Sequence, residues 1–225
     1  METLLLGVDD AGRGPVIGPM IIAGCLLNKE IENELKKLGA KDSKDLTPKR
    51  RAFLEKEIKE KSLAYHIEII TPFEIDASLE EGINLNEVEA ILVSKIINKL
   101  NNKIPGKIRI ILDCPSVNRT KWSESVRLKI EDLSNLEIVC EHKADRDYPV
   151  VASASILAKE ERERQMKKIK KKYGEEVGSG YPSDPKTKAF VEKNANILAK
   201  EGLFRRSWKT WQKAAGKFGQ KKLGF

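Results

Sequence analysis

GVDDAGRGP, residues 7–15, follows the apolar run Leu4–Leu6 and places two adjacent carboxylates directly before a Gly-Arg-Gly turn. This order predicts a strand that ends in a binding site, because an uncompensated buried charge costs more than a fold can offset. A divalent metal ion or Arg13 would compensate Asp9 and Asp10, and the glycines would allow a tight bend close to a ligand. On this stretch alone, an Asp-rich turn that caps a strand is an equally good interpretation.

The composition indicates one globular domain with ample core and a polyanionic partner. The chain has 225 residues, of which 40% are hydrophobic and 34% are charged, with a net charge of +8. The positive excess collects in Lys167–Lys172 and from Arg205 to Lys222. Such a surface attracts nucleic acid first, although a solvated lysine-rich surface is the alternative.

The apolar runs are too short to predict a membrane-spanning segment, so we expect no membrane partner. No run approaches the roughly 20 residues that a membrane span needs, and no signal pattern opens the chain. We therefore expect a soluble, cytoplasmic protein. Since neither heptads nor a large apolar stripe occur, we also expect a monomer.

Few soft metal ligands are available. Cys25, Cys114 and Cys140 are widely spaced, and His66 and His142 are the only histidines. These residues suit neither a zinc site nor a disulfide framework. A metal site must therefore be built from carboxylates, which favours Mg²⁺ or Mn²⁺.

Hydrophobic periodicity predicts an α/β fold with a five-stranded mixed sheet flanked by helices. The first strand ends at Asp9 and Asp10, and three strands in succession suggest an antiparallel meander before the parallel crossovers. The other predicted strands cover residues 16–27, 63–71, 108–112 and 136–140. The predicted helices cover residues 29–38, 48–61, 84–100, 122–133, 150–172 and 186–198.

Acidic residues recur at the ends of the predicted strands. Asp9, Asp113 and Asp145 each stand at or just after a strand's carboxyl end, which is where ligands bind in open α/β sheets. Asp10 could join them only if the turn begins there, because successive strand side chains point to opposite faces. Converging carboxylates repel one another unless metal ions separate them, and two divalent ions about 4 Å apart promote phosphodiester cleavage. The pattern therefore predicts metal-dependent phosphoryl chemistry on nucleic acid.

Two other phosphate-binding motifs do not fit. The spacing Gly12-x-Gly14 is that of a dinucleotide-binding turn, but Gly18 comes one place late and Pro15 breaks the helix opening. No nucleoside-triphosphate P-loop occurs in the sequence.

A set of short motifs follows in order along the whole chain. They are GVDDAGRGPVIGP (7–19), DSK (42–44) with LTP (46–48), LD (112–113), KAD (143–145), YPVVASASILAK (148–159) and GSGYPSD (178–184). With these motifs the chain resembles ribonuclease HII, the type 2 ribonuclease H, in its archaeal form. The resemblance implies a ribonuclease H-like catalytic domain over residues 1–172 and a helical C-terminal substrate-binding region over residues 173–225.

The resemblance also implies an activity. The family cleaves the RNA strand of RNA–DNA hybrids and cuts at single ribonucleotides embedded in duplex DNA, leaving 3′-hydroxyl and 5′-phosphate ends. These reactions serve ribonucleotide removal and RNA primer removal. By resemblance, Asp9, Asp10, Asp113 and Asp145 would hold two divalent ions, Mg²⁺ or Mn²⁺.

Substrate-binding residues carry over in the same way. Gly12-Arg13-Gly14 would sense the ribose 2′-hydroxyl and the adjacent phosphate, which distinguishes RNA from DNA. Tyr181 would pack on the sugar at the RNA-to-DNA junction, and Lys44 and Ser153 would contact phosphates. Without the resemblance, Tyr181 is a packed loop aromatic, Lys44 a surface residue and Ser153 a small helix residue.

Position 10 departs from the family, whose second acid is Glu. The shorter Asp10 withdraws the carboxylate by about 1.5 Å from a Mg²⁺ shell that demands near-ideal octahedral geometry. We therefore hold as an alternative a catalytically impaired protein that binds hybrids but cleaves poorly. A third interpretation is another nuclease of this fold, such as an integrase or junction resolvase, which the Gly-Arg-Gly turn and Tyr181 disfavour.

The last residues, 220–225 (QKKLGF), resemble a truncated sliding-clamp-binding peptide. They combine a glutamine, an aliphatic residue and an aromatic residue, although the usual aromatic pair lies slightly further on. A frayed basic tail is the favoured interpretation of this segment.

Overall fold

The protein is described by a computed structural model that covers residues 3–40, 46–102 and 106–221, with residues 217–221 as backbone alone. Its strands are β1 (Leu4–Ala11), β2 (Met20–Leu27), β3 (Ala64–Ile70), β4 (Ile108–Asp113) and β5 (Leu136–Glu141). Its helices are α1 (Lys29–Lys37), α2 (Pro48–Lys61), α3 (Pro72–Glu80), α4 (Leu85–Asn101), α5 (Arg119–Arg127), α6 (Ala144–Asp147), α7 (Pro149–Tyr173), α8 (Pro185–Asn194) and α9 (Lys209–Lys221). A 3-10 turn, Glu175–Val177, follows α7.

The five strands form one mixed sheet in the order β3-β2-β1-β4-β5. β2 runs antiparallel to β1, whereas β4 runs parallel to both β1 and β5. The predicted α/β fold with a five-stranded mixed sheet is therefore confirmed. The parallel arrangement brings the carboxyl ends of β1, β4 and β5 to the same edge of the sheet.

Local sequence signals explain where several helices begin. Asn28 caps α1 by accepting a hydrogen bond from the Ile31 N–H at 2.9 Å, and Gly39 follows the helix with φ at 92°. Thr47 caps α2, and Pro48 occupies its first turn. These two helices lie where the sequence predicted them.

Other element boundaries differ from the prediction. The second strand begins at Met20, because Gly18 at φ 88° and Pro19 keep residues 12–19 out of the sheet. Thr71 and Glu74 form a capping box that begins α3, a helix that the periodicity did not predict. α9 is likewise additional, and α5 and α8 end earlier than expected.

The chain divides into two compact units. Unit 1 comprises residues 1–11, 21–68 and 86–160, and unit 2 comprises residues 12–20, 69–85 and 161–225. This division is discontinuous and does not follow the predicted boundary at residues 172 and 173. The catalytic and substrate-binding roles assigned to the two predicted domains stay predictions.

Each unit has its own apolar core. In unit 1, buried residues of β2 such as Ala23 and Cys25 pack with Val151, Ala154 and Leu157 of α7. In unit 2, buried aliphatic and aromatic residues form a second cluster, which includes Val16, Ile17, Met166, Phe190, Val191 and Phe204. Within the described ranges, no helix is both long and apolar enough to cross a membrane.

Candidate active site

Three of the predicted acids meet in unit 1. Asp9 and Asp10 of β1 and Asp113 of β4 line one cavity, together with Glu89 of α4. The strand continues through both acids to Ala11, so no turn begins at Asp10. That the two acids share a metal site stays a prediction.

Pairing between β1 and β4 ends at Val8 and Leu112. Asp9 and Asp10 therefore extend past the last paired position, and the side of β1 that faces β4 is open there. Both residues line the cavity although they are neighbours on a strand. Asp9 is only 8% exposed, whereas Asp10 is half-buried.

The electrostatics of the cavity are unfavourable for negative charge. Burial raises the pKa of Asp9 well above its ordinary value, and the charges of Asp10 and Asp113 raise it further. Hydrogen bonds from Ser155 and from the Asp10 N–H, the latter at 2.7 Å, oppose this rise. The cluster would therefore be stabilised by a cation.

Asp145 directly follows Ala144, whose N–H contacts Asp113 of the acidic cluster. It is 4% exposed and belongs to the short helix α6, which begins after Lys143 in the left-handed conformation at φ 60°. The Ala144 N–H donates to Asp113 Oδ1 at 2.8 Å, which ties the end of β4 to the start of α6. Asp145 itself is not among the residues that line the cavity.

The carboxylates fit a hard divalent cation by donor type and by charge. Mg²⁺ and Mn²⁺ prefer oxygen ligands, and burial and the neighbouring charges raise the pKa of Asp9, so a cation would stabilise its ionised form. Among residues 3–40, 46–102 and 106–221, however, no group of three or more His, Cys, Asp or Glu side chains is arranged to hold a metal ion. The donor set fits, and its present side-chain orientations do not form a closed ligand shell.

The predicted recognition loop, which is the Gly12-Arg13-Gly14 turn, lies in unit 2. Gly12 has φ at 84°, and a Cβ there would stand 2.8 Å from Arg162 Cδ and 2.9 Å from the Pro19 carbonyl oxygen, so only glycine fits. A Cβ at Gly14 would lie 3.8 Å from the Tyr181 ring. The structure thus brings the Gly-Arg-Gly turn and Tyr181 together.

Tyr181 is supported by a buried arginine. The Arg162 guanidinium lies over the ring at 4.8 Å from its centre and donates to the Ser179 carbonyl at 2.8 Å. The tyrosine remains 39% exposed, so its free face is open to a ligand.

Ser153 and Lys44 are the two remaining substrate-binding residues of the prediction. Ser153 is fully buried in α7, and its hydroxyl donates to the Pro149 carbonyl at 2.8 Å. This contact is typical of a small helix residue that allows close packing, which is the alternative interpretation of the sequence. Lys44 and the end of the tail, residues 222–225, lie outside the described residues.

Sequence reasoning missed Glu89 and Arg162. Glu89 is 1% exposed and stands on the apolar face of α4, one residue after Val88 and three before Leu92. An acid at that helical position was an available signal, because apolar neighbours at this spacing face a core. Arg162 lies in a charged helical segment that carries no comparable signal.

The strand order and the acids at the ends of β1 and β4 define a ribonuclease H-like protein. Solved structures confirm this class. Ribonuclease H2 from Pyrococcus horikoshii is 35% identical with a TM-score of 0.85, and the match covers 97% of this chain and 100% of that one. RNase HII from Archaeoglobus fulgidus, solved in complex with PCNA, is 34% identical with a TM-score of 0.80 over 92% and 95% of the two chains.

The sequence comparisons give the family. The family model for ribonuclease HII matches residues 6–211. A ribonuclease HII of Methanocaldococcus jannaschii is 43% identical over 98% of both chains. The chain belongs to the ribonuclease HII family, and it is a hydrolytic endoribonuclease. The family acts on RNA–DNA hybrids and depends on divalent metal ions.

Proposed function

We propose that this enzyme cleaves the RNA strand of RNA–DNA hybrids and also cuts duplex DNA at single embedded ribonucleotides. Cleavage by two divalent ions, Mg²⁺ or Mn²⁺, would leave 5′-phosphate and 3′-hydroxyl ends and serve ribonucleotide and RNA primer removal. The observation that carries this proposal is the cavity lined by Asp9, Asp10 and Asp113, in which burial and the charges of the other two acids raise the pKa of Asp9.

The four acids would share one task in this proposal, which is to hold the metal ions. Divalent ions supply an activated water and stabilise the leaving oxygen in phosphodiester hydrolysis. Asp9, Asp10 and Asp113 would hold the ions, with Asp145 as the fourth ligand. Asp9 is oriented by the Asp10 N–H, and Asp113 by the Ala144 N–H, so two of the ligands are fixed by backbone donors.

Residues of unit 2 would recognise the sugar. Gly12-Arg13-Gly14 would contact the 2′-hydroxyl and the neighbouring phosphate, because the 2′-hydroxyl is the group that separates RNA from DNA. Tyr181 would stack on the sugar at the RNA-to-DNA junction, and its ring orientation under Arg162 supports this role. Phosphate contacts by Lys44 and Ser153 belong to the same proposal.

A matched pair of variants tests the catalytic part. Asp9→Asn keeps the shape of the side chain and removes its charge, whereas Asp147→Asn makes the same change at an exposed position of α6. On a DNA duplex with one ribonucleotide, Asp9→Asn should bind but not cut, and Asp147→Asn should cut at the wild-type rate. Normal cutting by Asp9→Asn would contradict the proposal.

A second candidate function is a hybrid-binding protein with weak cleavage. It is favoured by Asp10, which lines the cavity with a side chain one methylene shorter than the family's Glu. Recognition by unit 2 would then persist while the metal shell is incomplete.

We also propose a sliding clamp as partner, bound through residues 220–225. The PCNA complex of the Archaeoglobus fulgidus relative supports this partner. Removal of residues 220–225 should abolish co-elution with an archaeal sliding clamp and leave clamp-free cleavage unchanged. If the truncated chain still co-elutes, the tail is a basic extension and not the clamp-binding segment.

A further inference from the structure

Arg205 is the largest fully buried side chain of the described residues, and it is directed at the recognition loop. Its Nη2 donates to the Gly12 carbonyl at 2.5 Å, and its Nη1 donates to the Arg13 carbonyl at 2.7 Å. Its Nε donates to the Gly18 carbonyl at 3.1 Å. One guanidinium therefore spans both ends of the loop formed by residues 12–18.

Trp208 completes the contact with the Gly-Arg-Gly turn. Its indole Nε1 donates to the Gly14 carbonyl at 3.1 Å, and the Arg205 guanidinium lies 4.9 Å from the centre of its ring. The carbonyls of all three residues of the turn are thus held by two side chains that stack on each other.

These anchors determine where the amide groups of the turn point. In a planar trans peptide the C=O and the N–H that follows it point in opposite directions. Because Arg205 holds the Gly12 and Arg13 carbonyls, the N–H groups of Arg13 and Gly14 point to the opposite face of the turn. Backbone N–H groups that share one face bind anionic and hydroxyl oxygens.

The segment that carries Arg205 is itself fixed by a buried acid. Asp76 of α3 is 4% exposed and accepts hydrogen bonds from the Arg206 N–H at 2.7 Å and from the Ser207 N–H at 3.0 Å. The Ser207 hydroxyl donates to the same carboxylate. Arg205 therefore extends from a turn with two anchored amides, and its guanidinium is presented in a fixed position.

We propose that Arg205, assisted by Trp208, is a specificity-determining positioning residue that holds the Gly12-Arg13-Gly14 amides in the orientation required to recognise a ribose 2′-hydroxyl. This inference rests on the proposed function of the turn. Arg205 acts through the backbone and does not touch the substrate. Its effect is on the choice between ribose and deoxyribose and not on the chemical step.

Arg205→Lys is the decisive variant. Lysine keeps the charge, but its donors all come from one nitrogen, so it cannot match the three carbonyls that the separate Nε, Nη1 and Nη2 of Arg205 contact. Arg206→Lys is the matched control, because it makes the same exchange at the next residue, whose side chain contacts Asp76 and Glu80 at 4.0 and 3.8 Å. Trp208→Phe is a milder second variant, which keeps an aromatic ring and removes the hydrogen bond to Gly14.

The measured quantity is the dissociation constant for the all-DNA duplex divided by the dissociation constant for the ribonucleotide duplex. Each protein is titrated, with Ca²⁺ in place of a catalytic ion, against an all-DNA duplex and against the same duplex with one ribonucleotide. In wild type and Arg206→Lys the ribonucleotide duplex should bind more tightly. In Arg205→Lys the ratio should fall about tenfold, with a smaller fall in Trp208→Phe. A loss of general folding or of surface charge would weaken both duplexes alike and leave the ratio unchanged.

The outcomes separate this inference from the function on which it rests. If wild type does not prefer the ribonucleotide duplex, ribose recognition by the turn fails and the positioning role fails with it. If wild type discriminates and a folded Arg205→Lys protein discriminates equally, only the positioning role is overturned. If Arg205→Lys does not fold by circular dichroism, Trp208→Phe decides, since an unchanged ratio there overturns the proposal.

Discussion

The carboxylate cavity of unit 1 and the Gly-Arg-Gly turn of unit 2 differ in how their polar groups are stabilised. In the cavity, like charges face one another, and the pKa of Asp9 rises because burial and its neighbours disfavour ionisation. In the turn, carbonyl after carbonyl is matched by a donor from Arg205 or Trp208. The acids of the cavity would therefore be stabilised by a cation from solution, whereas the carbonyls of the turn are stabilised by side chains of the protein itself.

This difference predicts which part of the activity depends on solution conditions. A site built from repelling acids should respond strongly to divalent ions and, to a smaller extent, to pH. A turn held by buried hydrogen bonds should respond to neither and should fail only when its anchors or its backbone geometry change.

Chelation should give the largest effect. With EDTA in excess we expect cleavage of a single-ribonucleotide duplex to fall by at least about a thousandfold, because the acids alone supply no activated water. Preference for the ribonucleotide duplex over all-DNA duplex should persist in the same buffer, since the turn needs no ion. Binding assays with and without EDTA check this, and a loss of preference on chelation would show that the two regions are not independent.

Asp10→Glu should give the next largest effect. The longer side chain restores the family's acid, and correction of the misplacement of about 1.5 Å raises turnover about ten- to a hundredfold. We expect kcat with Mg²⁺ to rise while the dissociation constant for the ribonucleotide duplex stays constant. The control is Asp132→Glu at an exposed loop position, which should change neither quantity. An unchanged kcat in Asp10→Glu would mean that aspartate serves this site fully.

The two regions also differ in how far the sequence predicted them. Asp9, Asp113 and Asp145 were predicted from their positions after strands, because strand order and the parallel crossovers bring strand ends together. That Asp9 and Asp10 share one cavity was not predictable, since it depends on the register, which ends at Val8 and Leu112. Register is set by three-dimensional pairing and not by local pattern.

The anchors of the turn had no sequence signal at all. Arg205 lies 193 residues from Gly12, and an arginine in a basic C-terminal segment is by default a surface residue. Only the folded chain shows that it is fully buried among carbonyls. By contrast, the capping box that begins α3 was present in the sequence as Thr71 and Glu74 and could have been recognised.

Gly12→Ala should give a moderate effect that is confined to the turn. The new Cβ must adopt a left-handed φ and would meet Arg162 and Pro19 below 3.0 Å, so we expect a loss of about 2 kcal/mol in unfolding free energy. Gly14→Ala is the matched control, because its Cβ would make an ordinary contact of 3.8 Å with Tyr181. Chemical denaturation measures both, and equal losses would contradict the assigned backbone geometry.

The pH dependence of the metal-free protein should give the smallest effect. The pKa of Asp9 is raised in the folded state, so above the unfolded value of about 3.9 the folded chain binds more protons than the unfolded chain. Stability must then fall as pH rises from that value through the raised pKa. In Asp9→Asn this contribution is absent, so its melting temperature in EDTA should exceed that of wild type increasingly as pH rises through this window.

Saturating Mg²⁺ should reverse the order, because the wild-type carboxylate gains an ion that the amide cannot hold as tightly. A constant difference between the two proteins across the window would mean that repulsion within the cavity is already relieved by the protein itself.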